Sequence, residues 1–400
     1  MRQPNRRLAS LPGYPLAELP GIKRRLIQAG RDIIDLGAGD IDLPPPPEVV
    51  AAMQEAVTDP AMSKYGFQQG LAEFRTSAAG YLERRFGGRV TIDPVKELLP
   101  MIGSKEGIAH LPFGLIEPGD VAIIPEPGYQ AYLGGAVLAG AEPYVVPLRA
   151  EEEFLVEIDA LPADVLHRAA IVYLNYPNNP TTAVASLDYL ERVVAACRRH
   201  DIVLVHDNPY CDLTFDGYVA PSVLQVPGAR DVAIEYFSLS KSFSMTGWRI
   251  GFVAGNQDLI SCLTKVKTYI DTGPFLAVQR AGCAALDEAE RLVAPVVKTL
   301  TERRDAAIES LRAAGFVVTP PPATMYVWIP LPEGVPSAEF AKVALEEFDV
   351  LVLPGSGFGP AGEGFFRIAL TVSSQRLTEG SQRLGRALNA IQGGAVETRA

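Results

Sequence analysis

The chain has 400 residues, 48% of them hydrophobic, and carries 36 Lys+Arg against 47 Asp+Glu for a net charge of −11. That is enough material for two or three domain-sized units with large buried cores. An acidic chain is a poor partner for nucleic acid or an anionic membrane surface, although local arginines would still bind small anions.

From the N-terminus, residues 1–47 read as a proline-rich arm ending in Leu43-Pro44-Pro45-Pro46-Pro47, a stiff connector. The basic start, Met1 to Arg7, is followed by no apolar segment of the kind a signal peptide has, and no apolar run is long enough to span a bilayer. Helical periodicity begins near Glu48. From there to about residue 290, strand and helix signals alternate. The expected strands are Glu97–Met101, Val121–Pro125, Pro143–Val146, Ala170–Asn175, Ile202–Asp207, Ile234–Ser238 and Gly251–Ala254. Such alternation predicts an α/β fold, a mostly parallel sheet covered by helices on both faces. A long amphipathic helix is predicted over Asp287–Ala314, with short strands at Phe316–Val318, Met325–Ile329 and Phe366–Leu370. The end, Gly393 to Ala400, reads as disordered. The four cysteines, Cys197, Cys211, Cys262 and Cys283, lack CxxC spacing, so neither a disulfide framework nor a zinc site is implied. Free thiols suit a reducing cytoplasm, the expected location.

Three polar clusters follow predicted strands. Asn175-Tyr176-Pro177-Asn178-Asn179-Pro180-Thr181 marks a turn, but its asparagines are also uncharged donors for a ring oxygen or a carboxylate. Asp207-Asn208-Pro209-Tyr210 puts a carboxylate at a strand's carboxyl end, where open α/β sheets bind ligands. Asp207 would there pair with a protonated pyridine nitrogen; alone, it reads first as an aspartate opening a turn before proline. Third comes Ser238-Leu239-Ser240-Lys241, with Arg249 eight residues after the lysine. A desolvated lysine is an amine nucleophile able to form a Schiff base. Ser238, Ser240 and Arg249 are phosphate donors, arginine through its planar fork. A lysine beside a phosphate clamp is the chemistry of pyridoxal 5′-phosphate (PLP); alone, Lys241 is equally a surface lysine in a serine-rich loop.

In this order and spacing the clusters resemble the class I/II aminotransferases, the fold type I PLP-dependent transferases, over roughly residues 10–390. The resemblance implies a large domain over 48–290 with a mostly parallel seven-stranded sheet. A smaller α+β domain would form from 291–400 and the arm 1–47. It implies a PLP-dependent aminotransferase acting on an amino acid and a 2-oxo acid, with no metal. Lys241 would carry the cofactor covalently and shuttle the proton. Asp207 would pair the pyridine nitrogen, and Tyr210 and Asn179 would hold the ring oxygen. Tyr129 would stack on the ring. Ser104 and Lys105, which open a helix after Gly103, would join Ser238, Ser240 and Arg249 around the phosphate. Arg367 would bind the substrate α-carboxylate, with Gly39 and Asn179 beside it. Tyr65, five residues before Gly70, would reach the phosphate of the neighbouring subunit in a homodimer with shared sites.

Two positions depart from the family pattern. Thr182 stands where glycine usually follows Asn-Pro-Thr, which should alter a turn. Tyr132 stands where aspartate aminotransferases keep a histidine behind the ring aspartate. The histidines His110, His167, His200 and His206 show no motif spacing and read as structural or surface residues. Retained Lys241, Asp207 and Arg367 argue against a non-catalytic regulator. A C–S lyase or decarboxylase of the same fold is the alternative. Gly103–His110, Tyr176–Val184 and Ser238–Gly251 look most like the bacterial LL-diaminopimelate aminotransferase branch, which leaves LL-diaminopimelate, aspartate or alanine as donor and 2-oxoglutarate as acceptor. In Thr268–Gly273, where aspartate-specific enzymes have an arginine, stands Asp271. It would favour an amine-bearing side chain or, equally, cap a helix.

Overall fold

A computed structural model describes residues 3–13 and 19–397. Among the described residues there are twelve strands: β1 (Ile34–Asp35), β2 (Leu98–Met101), β3 (Val121–Glu126), β4 (Glu142–Pro147), β5 (Ala169–Leu174), β6 (Val203–Asp207), β7 (Ala233–Ser238), β8 (Gly251–Gly255), β9 (Tyr326–Pro330), β10 (Val350–Leu351), β11 (Leu353–Pro354) and β12 (Phe365–Ala369). Strands β2 to β8 form one seven-stranded sheet in the order β2-β8-β7-β6-β5-β3-β4. β8 runs antiparallel to both neighbours and every other pairing is parallel. The inner strands read as continuous apolar runs because helices cover both faces, and every residue of β8 is buried. Phe237 and Phe252 stack across β7 and β8 at 5.0 Å; burying such a ring stabilises by roughly 1.5–3 kcal/mol.

The topology creates the crevice. β2, β3, β5, β6 and β7 all end at one sheet edge, so the segments after Met101, Glu126, Leu174, Asp207 and Ser238 gather there. Antiparallel β8 begins at that edge, which brings Arg249, two residues before it, to the same place.

A second core surrounds the antiparallel sheet β11-β12-β9 and includes Leu300, Ile308, Phe340, Phe366, Leu377 and Leu384. Ile34 and Leu36 from the N-terminal segment join it, with β1 pairing parallel to β10. The helix Ala289–Ala313 runs alongside the helix Ser374–Glu397.

Three expectations need correction. Phe316–Val318 is not a strand: Phe316 N bonds back to Leu311 O, and the Arg312 guanidinium occupies Val318 O. The last helix continues through Gly393 to Glu397, and residues 398–400 lie outside the described set. Helical structure begins well before Glu48, in the N-terminal segment itself. That segment contains helices Arg6–Ser10 and Leu19–Gln28, the second held by Leu26 packing on Leu345 and Leu351. Among the described residues no helix is long and apolar enough to cross a membrane.

Candidate active site

At the crevice lies a cavity of about 470 Å³. It is lined by Gly39, Ser104, Lys105, Tyr129, Asn179, Asp207, Tyr210, Ser238, Ser240, Lys241, Arg249 and Arg367, all residues expected from the sequence. Tyr65 is not in this lining; it is 75% exposed, its ring 6.2 Å from that of Phe67.

Lys241 sits on a one-turn helix, Leu239–Ser242, capped by Ser238, whose Oγ accepts from Ser240 N. Its Nζ donates to Gly39 O at 2.5 Å. A Cβ at Gly39 would lie 2.8 Å from the Tyr326 hydroxyl, so a larger residue there would have to displace that ring. Gly103 precedes the helix Ser104–His110 at φ +70°, and a Cβ there would meet Arg249 Nη2 at 2.3 Å. Arg249 Nη1 donates to Thr246 O.

Asp207 is 4% exposed. Its Oδ2 accepts from Tyr132 at 2.8 Å, and Asn175 Nδ2 donates to its backbone oxygen at 2.7 Å. Tyr132 thus supports the aspartate from behind. Burial pushes the Asp207 carboxyl up to about 6, against the Tyr132 hydrogen bond and the His206 charge. Its Oδ1 is buried without a partner.

Arg367, on β12, donates to Asn179 Oδ1 at 2.7 Å and to Gly37 O at 2.9 Å. Its guanidinium lies over Tyr326 at 4.0 Å and Phe358 at 4.9 Å, rings that fix its plane. Its Nε is buried without a partner.

Tyr326 was not among the expected site residues. Alternation within its strand shows that it faces away from Val327, but nothing in the sequence says which face meets the cavity. Its hydroxyl lies 3.3 Å from that of Tyr210. Burial opposes ionisation of Tyr326, yet the Arg367 charge, with Lys241 next, leaves its phenol below the ordinary value. Burial, followed by Tyr326, raises Tyr210.

The departure at Thr182 is tolerated in the backbone. Thr182 takes the left-handed conformation, φ +63°, and its N–H closes the turn on Asn178 O at 3.0 Å. A β-branched residue there stores on the order of 1–2 kcal/mol of strain. Asp271 lies outside the cavity lining and caps no helix N-terminus. Its carboxylate accepts from Lys267 Nζ at 3.0 Å and from Gly273 N at 2.7 Å.

Residues 31–384 match the aminotransferase class I and II family. The chain belongs to this family. LL-diaminopimelate aminotransferase 2 of Trichormus variabilis is 44% identical over 379 residues, 95% of this chain and 97% of that protein. Substrate-bound BacF of Bacillus subtilis has a TM-score of 0.92 at 33% identity, over 96% of this chain and 98% of that one. A probable N-succinyldiaminopimelate aminotransferase from Thermus thermophilus has a TM-score of 0.88 at 39% identity, over 94% and 100%. The enzyme is therefore a fold type I, PLP-dependent aminotransferase that moves an amino group between an amino acid and a 2-oxo acid. The cavity of this aminotransferase fits the cofactor. The orphaned Asp207 Oδ1 suits a protonated ring nitrogen, and the glycine-limited approach of Arg249 to Gly103 suits a phosphate.

Proposed function

We propose that the enzyme transfers the amino group of LL-diaminopimelate to 2-oxoglutarate. The observation that carries this reading is the mixed charge of the cavity, which has Lys105 and Asp40 in its wall besides Arg367. LL-diaminopimelate is an amino acid at both ends. One end reacts, and the other presents an ammonium and a carboxylate that need an anion and a cation. The names of several relatives agree with that donor.

Arg367 binds the α-carboxylate. Its stacked guanidinium is oriented before substrate arrives, so little entropy is lost in forming the pair. Asn179 is positioned beside it for the carboxylate or the ring oxygen. PLP, when bound, supplies a carbon that takes up the amino group and a ring that withdraws electrons from the substrate α-carbon. Lys241 would hold the cofactor, and its amine, once freed by the donor, would be the base that takes the substrate α-proton and carries it. Asp207 keeps a proton on the ring nitrogen. Tyr210 donates to the ring oxygen, and Tyr129 packs on the ring face. Ser104 and Lys105, through the backbone N–H groups that open their helix, hold the phosphate together with Ser238, Ser240 and Arg249, which leaves the Lys105 ammonium free for the substrate. The test is a screen of amino donors with 2-oxoglutarate. LL-diaminopimelate should exceed aspartate and alanine in kcat/KM by about tenfold or more, ~1.4 kcal/mol. Equal or better turnover of aspartate or alanine would overturn the assignment.

The enzyme also works as a homodimer in which Tyr65 completes the partner's phosphate site. Tyr65, Phe67, Tyr269 and Phe275 are 75%, 64%, 84% and 49% exposed, an apolar expanse suited to a second copy. Inactive Tyr65→Ala and Lys241→Ala proteins, mixed under subunit exchange, should recover about a quarter of wild-type activity, one intact site in each mixed dimer. No recovery would restrict Tyr65 to its own subunit.

A further inference from the structure

On the sheet face opposite the Asp207 carboxylate lies a buried polar group that the reaction as described leaves unused. Register pairs His206 on β6 with Glu235 on β7, and both are 0% exposed, as are Asn208 and Ser222. Glu235 Oε1 receives His206 Nδ1 at 2.9 Å and Asn208 Nδ2 at 2.8 Å. Glu235 Oε2 meets Ser222 Oγ, and that hydroxyl already accepts from Leu224 N at 3.1 Å, so its own hydrogen points to the glutamate. The other ring nitrogen, His206 Nε2, lies 3.2 Å from Tyr176 O, which can only accept.

Both imidazole nitrogens therefore face acceptors. One proton lies on Nε2, and a second lies between Nδ1 and Oε1. Asn208 and Ser222 stabilise negative charge on Glu235, which assigns that second proton to the ring. A buried carboxylate also needs a cation, and His206 is the cation in contact with it.

We infer that His206 is an imidazolium paired with ionised Glu235, and that it is a positioning residue for cofactor binding. It bonds the Asn175–Thr181 turn to β6 through Tyr176 O, and it sets a positive charge one residue from Asp207. The other groups about Asp207 are the phenols of Tyr132, Tyr210 and Tyr236, all kept neutral first of all by burial, and Lys241 and Arg367 in the cavity wall. Burial alone drives Asp207 toward its protonated form. The adjacent imidazolium opposes that and favours the carboxylate that the ring nitrogen needs. This consequence rests on the proposed role of Asp207; the charge assignment rests on the hydrogen bonds alone.

Neutron diffraction from deuterium-exchanged holoenzyme crystals tests the charge. Deuterons are expected on both His206 nitrogens and none on Glu235; a deuteron on Glu235 or a bare ring nitrogen would overturn the inference. The role is tested by PLP affinity of the apoprotein as a function of pH, wild type against the uncharged His206→Gln/Glu235→Gln variant. The variant removes both charges of the pair, but the imidazolium is the one that acts on the Asp207 carboxyl, so the net effect is a raised Asp207 pKa. The acid limb of binding should move up by about half a pH unit, roughly a threefold weaker affinity at its acid end. An unmoved limb in a folded variant refutes the role. Repeating the comparison in an Asp207→Asn background separates the two readings. No further shift is expected there; if the shift persists, the effect does not run through Asp207.

Discussion

Lys241→Ala is expected to lose turnover by at least about 10³-fold, ~4 kcal/mol of barrier, together with the visible absorbance of covalently held cofactor. The amine lies in the cavity wall with one hydrogen bond, to Gly39 O. No other lysine among the described residues combines that position with the Ser238 and Arg249 donors. Lys105 also lines the cavity, but its ammonium lies over the Tyr129 ring at 5.5 Å. Because Lys241 is only partly buried and makes that single bond, its removal should leave the fold intact. Borohydride should trap the cofactor in the wild type and not in the variant. Trapping in the variant at the wild-type level would assign the covalent link to another residue.

Asp207→Asn should retain PLP yet slow exchange of the substrate α-hydrogen with solvent deuterium by about 10²–10³-fold, ~3–4 kcal/mol. The change keeps size and the contact with Tyr132 but removes the charge. A buried carboxylate with one oxygen unpartnered is costly unless a cation or donor meets it. The amide cannot hold a proton on a ring nitrogen, so negative charge at the α-carbon loses its sink. Burial raises the Asp207 carboxyl to about 6 in the ligand-free chain, so the apoprotein should bind PLP more weakly as pH falls through that value. Exchange in Asp207→Asn at the wild-type rate would remove the aspartate from the chemistry.

The inner strands of the large sheet were legible because strands covered on both faces are continuous apolar runs, and the observed ends of all seven strands, the exposed edge strand β4 included, fall within one residue of those expected. The cavity residues were legible for a related reason: Asn179, Asp207, Lys241 and Arg249 each lie within a few residues of a strand terminus, so local sequence fixes the sheet edge they share. The two-residue strands Ile34–Asp35, Val350–Leu351 and Leu353–Pro354 were not legible, since a pair of residues carries no periodicity. Phe316–Val318 alternated like a strand, but the end of the preceding helix took its backbone bonds. Tyr326 and Phe358 became part of the site only because β12 carries Arg367 across from the second core onto their rings. His206 looked like an isolated histidine until parallel pairing set it beside Glu235, 29 residues along the chain. Sequence alone determined the sheet strands and the chemistry gathered at their ends, because both depend on neighbours along the chain. Tertiary structure decided which aromatic rings orient Arg367 and which charges meet behind Asp207, because those contacts join segments with no local signal of their meeting.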